Sequence, residues 1–225
     1  MEMLATIRKY LKILTTSIKV FAAYKTNIFF NVLAMFVKVL FAFVLWSIIY
    51  ESHNTIAGYS FQQMILYYIL CSFVMQLDKT EIITNTMSEE IQNGKFAKYL
   101  IMPIKLEKYF FTYSLGATVL NTLFIAVGCA CLVYLIQIDT SISVTFSQSV
   151  ILFIIVLLGI IFMSKINYLI GILSMKYIDV TIFILVKDNI FALLKGELIP
   201  LVLLPKSVFS AMKYFPFYYI GYYPV

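Results

Sequence analysis

The chain has 225 residues, of which 62% are hydrophobic and 12% are charged, and its formal net charge is +6. An average soluble domain has about 25% charged residues, so this composition excludes an ordinary soluble protein and indicates a membrane protein. Spanning segments in a bilayer must be helices or a closed barrel. The apolar segments here lack the apolar–polar alternation of barrel strands, and the sequence therefore predicts an all-α integral membrane protein.

Residues 1–26 predict an amphipathic helix that lies in the headgroup region of the membrane. Its apolar residues recur at steps of three and four, which places them on one helical stripe: Leu4, Ile7, Leu11, Leu14, Ile18 and Phe21. Basic residues, including Arg8, Lys9 and Lys12, fall beside the stripe, where they can face anionic lipid. The segment lacks the continuous apolar core of a signal peptide. An ordinary helix packed on protein is the alternative.

Five apolar segments follow, and each is long enough, or nearly so, to cross a hydrocarbon core about 30 Å thick. They cover residues 28–50, 61–77, 111–136, 150–175 and 178–199. The tail, residues 196–225, is rich in Pro and Tyr and predicts an outer re-entrant or interfacial segment. We also expect a sixth span beyond Val225 in the complete protein, which would return the chain to the cytoplasm.

The distribution of Lys and Arg predicts the orientation of the spans. Eleven of these residues lie in the N-terminal segment, the 79–108 loop and the turn after the fourth span, whereas the 51–60 and 137–149 loops have none and the C-terminal part of the chain has three, Lys195, Lys206 and Lys213. Because short cytoplasmic loops carry the excess of Lys and Arg, the N-terminus and the 79–108 loop are predicted to be cytoplasmic. The protein is then a multi-pass protein of the plasma (inner) membrane.

The 79–108 loop is the longest polar segment and is the candidate for contact with a soluble partner. Thr86 and Glu89 have the spacing of a capping box, and Gly94 followed by Lys95 is typical of a helix end. The sequence predicts a short rigid helix from Ser88 to Asn93, which can convert a partner's movement into helix tilt. A plain solvated loop is the alternative. The residues assigned to this coupling role are Ser88, Glu89, Glu90, Ile91 and Gly94.

Several polar residues fall inside the predicted spans. They are the charged residues Lys38, Lys165, Lys187 and Asp188, and the asparagines Asn31, Asn121, Asn167 and Asn189. A charge at the centre of a bilayer costs at least about 2.5–3.5 kcal/mol, and such residues rarely face lipid. Lys38 and Asp188 lie at similar depths, so that the two can pair. The group either fixes the register of packed helices or lines a polar substrate path.

The sequence offers no catalytic constellation. His53 and Glu51 are too few to hold zinc, and no GxxxxGKS phosphate-binding loop is present. Cys71, Cys129 and Cys131 lie in apolar segments, as small hydrophobic residues do. We therefore expect no cofactor, no metal and no nucleic acid on this chain, whose positive charge follows membrane topology. If transport is driven by ATP, then ATP and Mg bind a separate ATPase partner.

Two groups of residues resemble motifs found in the permease subunits of ABC-2-type ABC exporters. The first group, in the 79–108 loop, comprises Glu89, Glu90, Ile91, Gly94, Leu100 and Pro103. The second, near the end, comprises Gly196, Pro200, Leu201, Pro205, Pro216, Phe217, Tyr219 and Pro224. The resemblance covers essentially the whole chain. It implies a single transmembrane domain with an N-terminal amphipathic helix, six spans, and a coupling helix between the second and third.

The resemblance also implies a function. The chain would be the permease subunit of an ATP-driven exporter, pairing with a like permease subunit, with membrane lipid around it and with separate cytoplasmic ATPase subunits. Lys38, Lys187 and Asp188 would then lie on the substrate path or near the dimer seam. A membrane assembly or immunity protein without transport is the main alternative, and an intramembrane enzyme is a third.

Overall fold

The computed structural model describes residues 2–52, 54–56, 58–136, 145–177, 179–197 and 200–223. The prediction of an all-α membrane protein is confirmed: this part of the chain has no strand, only an isolated bridge between Ile56 and Tyr59. His53, Pro224 and most of the 137–149 loop lie outside the described residues. The helices are α1 (Glu2–Ala23), α2 (Lys25–Tyr50), α3 (Phe61–Gln76), α4 (Glu81–Gln92), α5 (Ala97–Leu100), α6 (Leu106–Ile136), α7 (Phe146–Leu173), α8 (Thr181–Leu194), α9 (Lys206–Met212) and α10 (Pro216–Ile220).

Three of the described helices are long and apolar enough to cross a membrane, and they correspond to the first, third and fourth predicted spans. The apolar stretches measure 25 residues in α2, 31 in α6 and 28 in α7. The second and fifth predicted spans are helical but shorter, with 16 residues in α3 and 14 in α8. The tail consists of a 3-10 turn at Leu201–Leu203 followed by the short helices α9 and α10.

The chain forms two compact units, and several helices contribute to both. The first unit contains Met1–Lys25, Leu77–Asn121 and Ile160–Asn189. The second contains Thr26–Gln76, Thr122–Gly159 and Ile190–Val225.

In the second unit the core is built on one face of α2. Met35, Val39, Ala42 and Trp46 follow at steps of four, three and four, and all are buried; this spacing keeps them on one side of a helix. They pack with residues of α3 and α6, where Gly128 allows close approach: a Cβ there would lie 2.9 Å from Met35 Cε. The opposite side of α2 exposes large apolar residues, as a lipid-facing surface requires.

In the first unit α1 packs on α6 through small residues. Ser17 is fully buried, and a Cβ on Gly116 would lie only 1.9 Å from its Oγ. The rings of Phe21 and Tyr113 meet beside this contact, 5.2 Å apart. Further toward the N-terminus, Ile7 and Leu11 are about half exposed. The helix is therefore held on protein at its C-terminal half and leaves apolar side chains uncovered in its N-terminal half.

Candidate functional site

The helix of the 79–108 loop begins at Glu81, so the predicted start at Ser88 is wrong. Thr86 and Glu89 both lie inside α4 and do not form a capping box. The true start is a turn at Asp78, whose carboxylate accepts hydrogen bonds from the N–H of Thr80 at 3.0 Å and from its hydroxyl at 2.5 Å. Aspartate favours such turns because its side chain bonds the backbone two residues on. The turn separates α3 from α4.

The two sides of α4 differ in character. The inner side carries Ile83, Thr84, Met87 and Ser88, which are all buried. The outer side is polar and exposed, and its residues are Glu81, Asn85, Glu89, Gln92 and Asn93. This second set, the exposed stripe of α4, is available to a partner. Of the predicted coupling residues, only Glu89 and Gly94 are exposed.

Beneath α4 and α5 lies an aromatic cluster that holds both helices in place. Phe96, Tyr99 and Phe110 are buried there with Ile83 and Met87. The rings of Tyr99 and Phe110 are 5.1 Å apart, and those of Phe96 and Tyr99 are 5.6 Å apart. Aromatic pairs at such distances each contribute about 0.5–1.5 kcal/mol beyond their buried area. The loop is therefore a packed structure and not a solvated connection.

Ile91 packs against this aromatic cluster from α4 and is partly buried within its own chain. The neighbouring Glu90 pairs with Lys98 of α5 at 2.7 Å. The Glu90 carboxylate, which accepts from the Lys98 ammonium, raises the pKa of Lys98 above its usual value. Glu90 is thus engaged within the loop, whereas Glu89 faces outward. A substitution at Ile91 would disturb the loop itself.

The end of α4 is a Schellman motif at Gly94. The N–H of Gly94 donates to the carbonyl oxygen of Ile91, and the N–H of Lys95 donates to that of Glu90 at 2.8 Å. Gly94 has φ of +67°, the left-handed conformation that this motif requires at that position. The predicted helix stop is therefore found where the sequence placed it.

A continuous chain of polar contacts runs from the start of α4 to α8. Asn167 of α7 is 1% exposed; its side-chain amide donates to Thr80 Oγ1 at 2.8 Å, and its carbonyl Oδ1 accepts from Lys187 Nζ at 2.8 Å. Lys187 pairs in turn with Asp188 at 2.7 Å. Thr84 adds a bond of 2.7 Å to the main-chain oxygen of Asn167. We call this set, Thr80, Thr84, Asn167, Lys187 and Asp188, the polar chain.

The polar chain connects residues that sequence reasoning had kept apart. Lys187 and Asp188 were assigned to a path or a dimer seam, and Asn167 was only one of several asparagines within spans. Thr80 and Thr84 were missed. Their signal is a spacing of four residues, which puts the two hydroxyls on one helical face, together with Ile83 and Met87.

The other charged residues of the predicted spans are also paired. Lys38 pairs with Glu197 at 2.5 Å, both side chains being about one-third exposed. Lys165 pairs with Glu107 of the first turn of α6. Lys38 and Asp188, whose similar depths would allow them to pair, each have another partner, Glu197 and Lys187 respectively. Glu197 follows directly on the helix stop at Gly196, where the chain turns out of α8 with φ of +78°.

A comparison of the sequence with known protein families assigns the chain to a family. The family described as "ABC-2 family transporter protein" matches residues 9–225, which is almost the whole chain. No curated protein and no solved structure gives a significant match. The resemblance seen in the loop and tail motifs is thereby confirmed, and with the long apolar helices it makes the chain a multi-pass membrane subunit of an ABC transporter. The chain belongs to the ABC-2 family of transporter proteins.

Proposed function

We propose that this chain is the permease subunit of an ATP-driven exporter, which works with a like permease subunit and is coupled through α4 to a cytoplasmic ATPase subunit. ATP and Mg would bind that ATPase. The N-terminus and α4 would lie on the cytoplasmic side of the plasma (inner) membrane. Family membership supports a transporter, and the charge distribution of the loops supports the orientation.

The observation that carries the proposal is the polar chain beneath α4. A coupling element must be rigid, must present a surface to its partner, and must be tied to the helices that move. The aromatic cluster and the Schellman motif make α4 rigid. Glu89 and its neighbours on the exposed stripe offer the surface, and Thr80 and Thr84 tie the helix to Asn167 of α7.

The same geometry gives the polar chain a role in transmission. When the partner displaces the exposed stripe, Thr80 and Thr84 either lose their hydrogen bonds to α7 or move α7 with them. Breaking a bond to a buried polar group costs about 1–3 kcal/mol, so α7 moves with α4. Asn167 then passes the movement to Lys187 and Asp188. Buried polar networks with every member bonded are rigid, and so the displacement reaches α8 with little loss.

Photocrosslinking from the exposed stripe tests the docking directly. A photoreactive residue at Glu89 should capture a protein with a phosphate-binding ATPase loop from membranes of the native host. The same residue at Phe146, which is 84% exposed at the start of α7, is the matched control and should capture no ATPase. Capture of ATPase from neither position would favour the alternative, a membrane assembly or immunity protein.

A charge reversal tests the function. We propose that Glu89 faces basic residues of the ATPase. Glu89→Lys should then weaken co-purification of the ATPase and lower transport-linked ATP hydrolysis, because like charges brought together at an interface cost several kcal/mol. Glu51→Lys makes the same change of charge at an exposed residue of the 51–60 loop, and it should leave both measurements unchanged. Equal effects of the two variants would show that α4 does not dock the ATPase.

A further inference from the structure

A pocket of about 420 Å³ lies within the second unit along one side of α2. On α2 it is lined by Lys38, Phe41, Ala42, Leu45 and Trp46. Their steps of three, one, three and one follow a single helical stripe, so the pocket extends for two helical turns. Lys38 and Trp46 mark its ends, about 12 Å apart at 1.5 Å per residue. Volumes of 300–1,000 Å³ are typical of sites for small molecules.

The end at Lys38 is charged. Glu197 lies there with Lys38, and each side chain of this ion pair is about one-third exposed. An ammonium has three N–H donors, and Glu197 takes one of those on Lys38. The two donors that remain favour an acidic oxygen, because hydrogen bonds between ionised partners are about twice as strong as neutral ones.

The other end carries a polar group in need of an acceptor. Trp46 is 5% exposed, and its Nε1 has no hydrogen-bond partner among the described residues. Tyr68 borders the pocket beside it, with its ring centroid 6.4 Å from that of Trp46. A buried donor left without an acceptor costs about 1–3 kcal/mol. A ligand oxygen at this end would remove that cost.

Between the two ends the walls are apolar. Phe41, Ala42 and Leu45 form one wall, and Pro200 and Leu203 of the tail contribute to the other. We propose that the pocket binds an elongated amphiphile, with an acidic head at Lys38, an apolar body along α2 and an oxygen acceptor at Trp46. Its binding goes beyond the proposed export function and can be measured on the chain without an ATPase.

Trp46 is the single tryptophan of the chain, and its fluorescence reports on the pocket directly. The probe is a fatty acid with bromine at the end remote from the carboxylate, added to the purified protein in detergent, since bromine quenches tryptophan on contact. Quenching should be saturable and should be reversed by the same acid without bromine. Brominated alcohols and quaternary amines of equal length should quench at least tenfold more weakly. Quenching that is equal for all three head groups, or that never saturates, would overturn the proposal.

Two variants separate ligand binding from a structural role of the ion pair. Lys38→Gln should weaken binding of the brominated acid about tenfold, the value of one hydrogen bond to a charged group. Glu197→Gln should leave that binding intact or tighten it, because it removes the competing carboxylate. Lys165→Gln, on α7, is the control and should have no effect. If Lys38→Gln and Glu197→Gln weaken binding equally, the pair serves packing alone and the site is refuted.

The acceptor at Trp46 has its own test. A fatty acid with a terminal hydroxyl should displace the brominated acid at a lower concentration than the equally long acid with a terminal methyl, because its oxygen accepts the indole N–H. A brominated acid whose acyl chain is too short to reach from Lys38 to Trp46 should not quench the tryptophan. Equal displacement by the two acids, together with quenching independent of length, would contradict the assigned orientation.

Discussion

The hydroxyl of Thr84 on α4 donates to the main-chain oxygen of Asn167 on α7, 2.7 Å away. The contact joins a helix of the loop to one of the long apolar helices. It is supported nearby by Gly171, where a Cβ would lie 2.8 Å from Met87 Sδ. Because α4 touches α7 at both places, the two helices must move together or exchange several contacts at once.

Asn167→Ala should destabilise the protein strongly. The change removes the donor to Thr80 and one of the two oxygen partners of Lys187, which keeps only Asp188, and each lost bond to a buried group costs about 1–3 kcal/mol. The unfolding temperature in detergent, followed by loss of the monodisperse species on size exclusion, measures the effect. Asn189→Ala is the matched control, because Asn189 is exposed and its side chain donates to the oxygen of Leu185 in its own helix. Equal unfolding temperatures for the two variants would refute a structural polar chain.

Gly94→Val should destabilise the loop through its backbone alone. Among the described residues beyond its chain neighbours, no atom lies within 4 Å of a Cβ built at Gly94, so that the obstacle to a side chain is the left-handed φ of +67°. The expected cost is about 1–2 kcal/mol, and it should appear as faster proteolysis after Lys95 or Lys98. Gly94→Asn is the control, since asparagine tolerates this conformation. Equal rates of proteolysis for the two variants would show that the left-handed conformation does not restrict which residue position 94 tolerates.

Gly116→Ala should loosen α1. The added Cβ would meet Ser17 Oγ at 1.9 Å and the backbone nitrogen of Ile18 at 3.0 Å, and overpacking of this kind costs about 1–3 kcal/mol. Trypsin should then cleave at Lys19 sooner. Adding Ser17→Gly should restore part of the protection, because it removes the nearer obstacle. Gly128→Ala is the control: its Cβ meets the flexible end of Met35, and it should leave Lys19 as protected as before.

Cysteines placed at Asn93 and at Asn54, in a background without the native cysteines, should react with an impermeant maleimide from opposite sides of the membrane. Both positions are exposed, and they lie in loops with contrasting Lys and Arg content. Labelling of Asn93 in intact cells would reverse the predicted orientation and exclude docking of a cytoplasmic ATPase on α4.

The fold could be predicted where a single physical rule acts over many residues. Apolar stretches of 25 residues or more, as in α2 and α6, can only be membrane helices, and they outweigh every local signal. The stop at Gly94 was also predictable, since glycine at a left-handed position is a strong and local requirement.

The start of α4 was mispredicted because two local signals competed. The capping-box spacing of Thr86 and Glu89 is real, but the burial of Ile83 and Met87 extends the helix toward Glu81 and overrides it. Capping boxes do occur elsewhere: Ser60 and Gln63 exchange hydrogen bonds at the start of α3. Spacing alone does not distinguish the two cases, because the outcome depends on what the preceding turn buries.

The ion-pair partners of the charged residues could not be predicted from the sequence. Lys38 and Glu197 are separated by 159 residues, and no periodicity relates positions that far apart. Similar depth in the membrane made Asp188 a candidate ion-pair partner for Lys38. Depth, however, fixes only one of the three coordinates of a side chain. Lys187 and Asn167 came together for the same reason, through tertiary packing and without a local pattern.

The separation of Lys38 from Glu197 has a consequence for biosynthesis. The lysine leaves the ribosome 159 residues ahead of its carboxylate, a delay of roughly 8–32 s at about 5–20 residues per second. During that interval α2 must enter the bilayer with an ammonium that lacks its final counter-ion, at a cost of about 2.5–3.5 kcal/mol. The many large apolar side chains on the same helix offset this cost. The helix α2 is therefore built to insert alone, and its ion pair forms late, when the helix is already in the membrane.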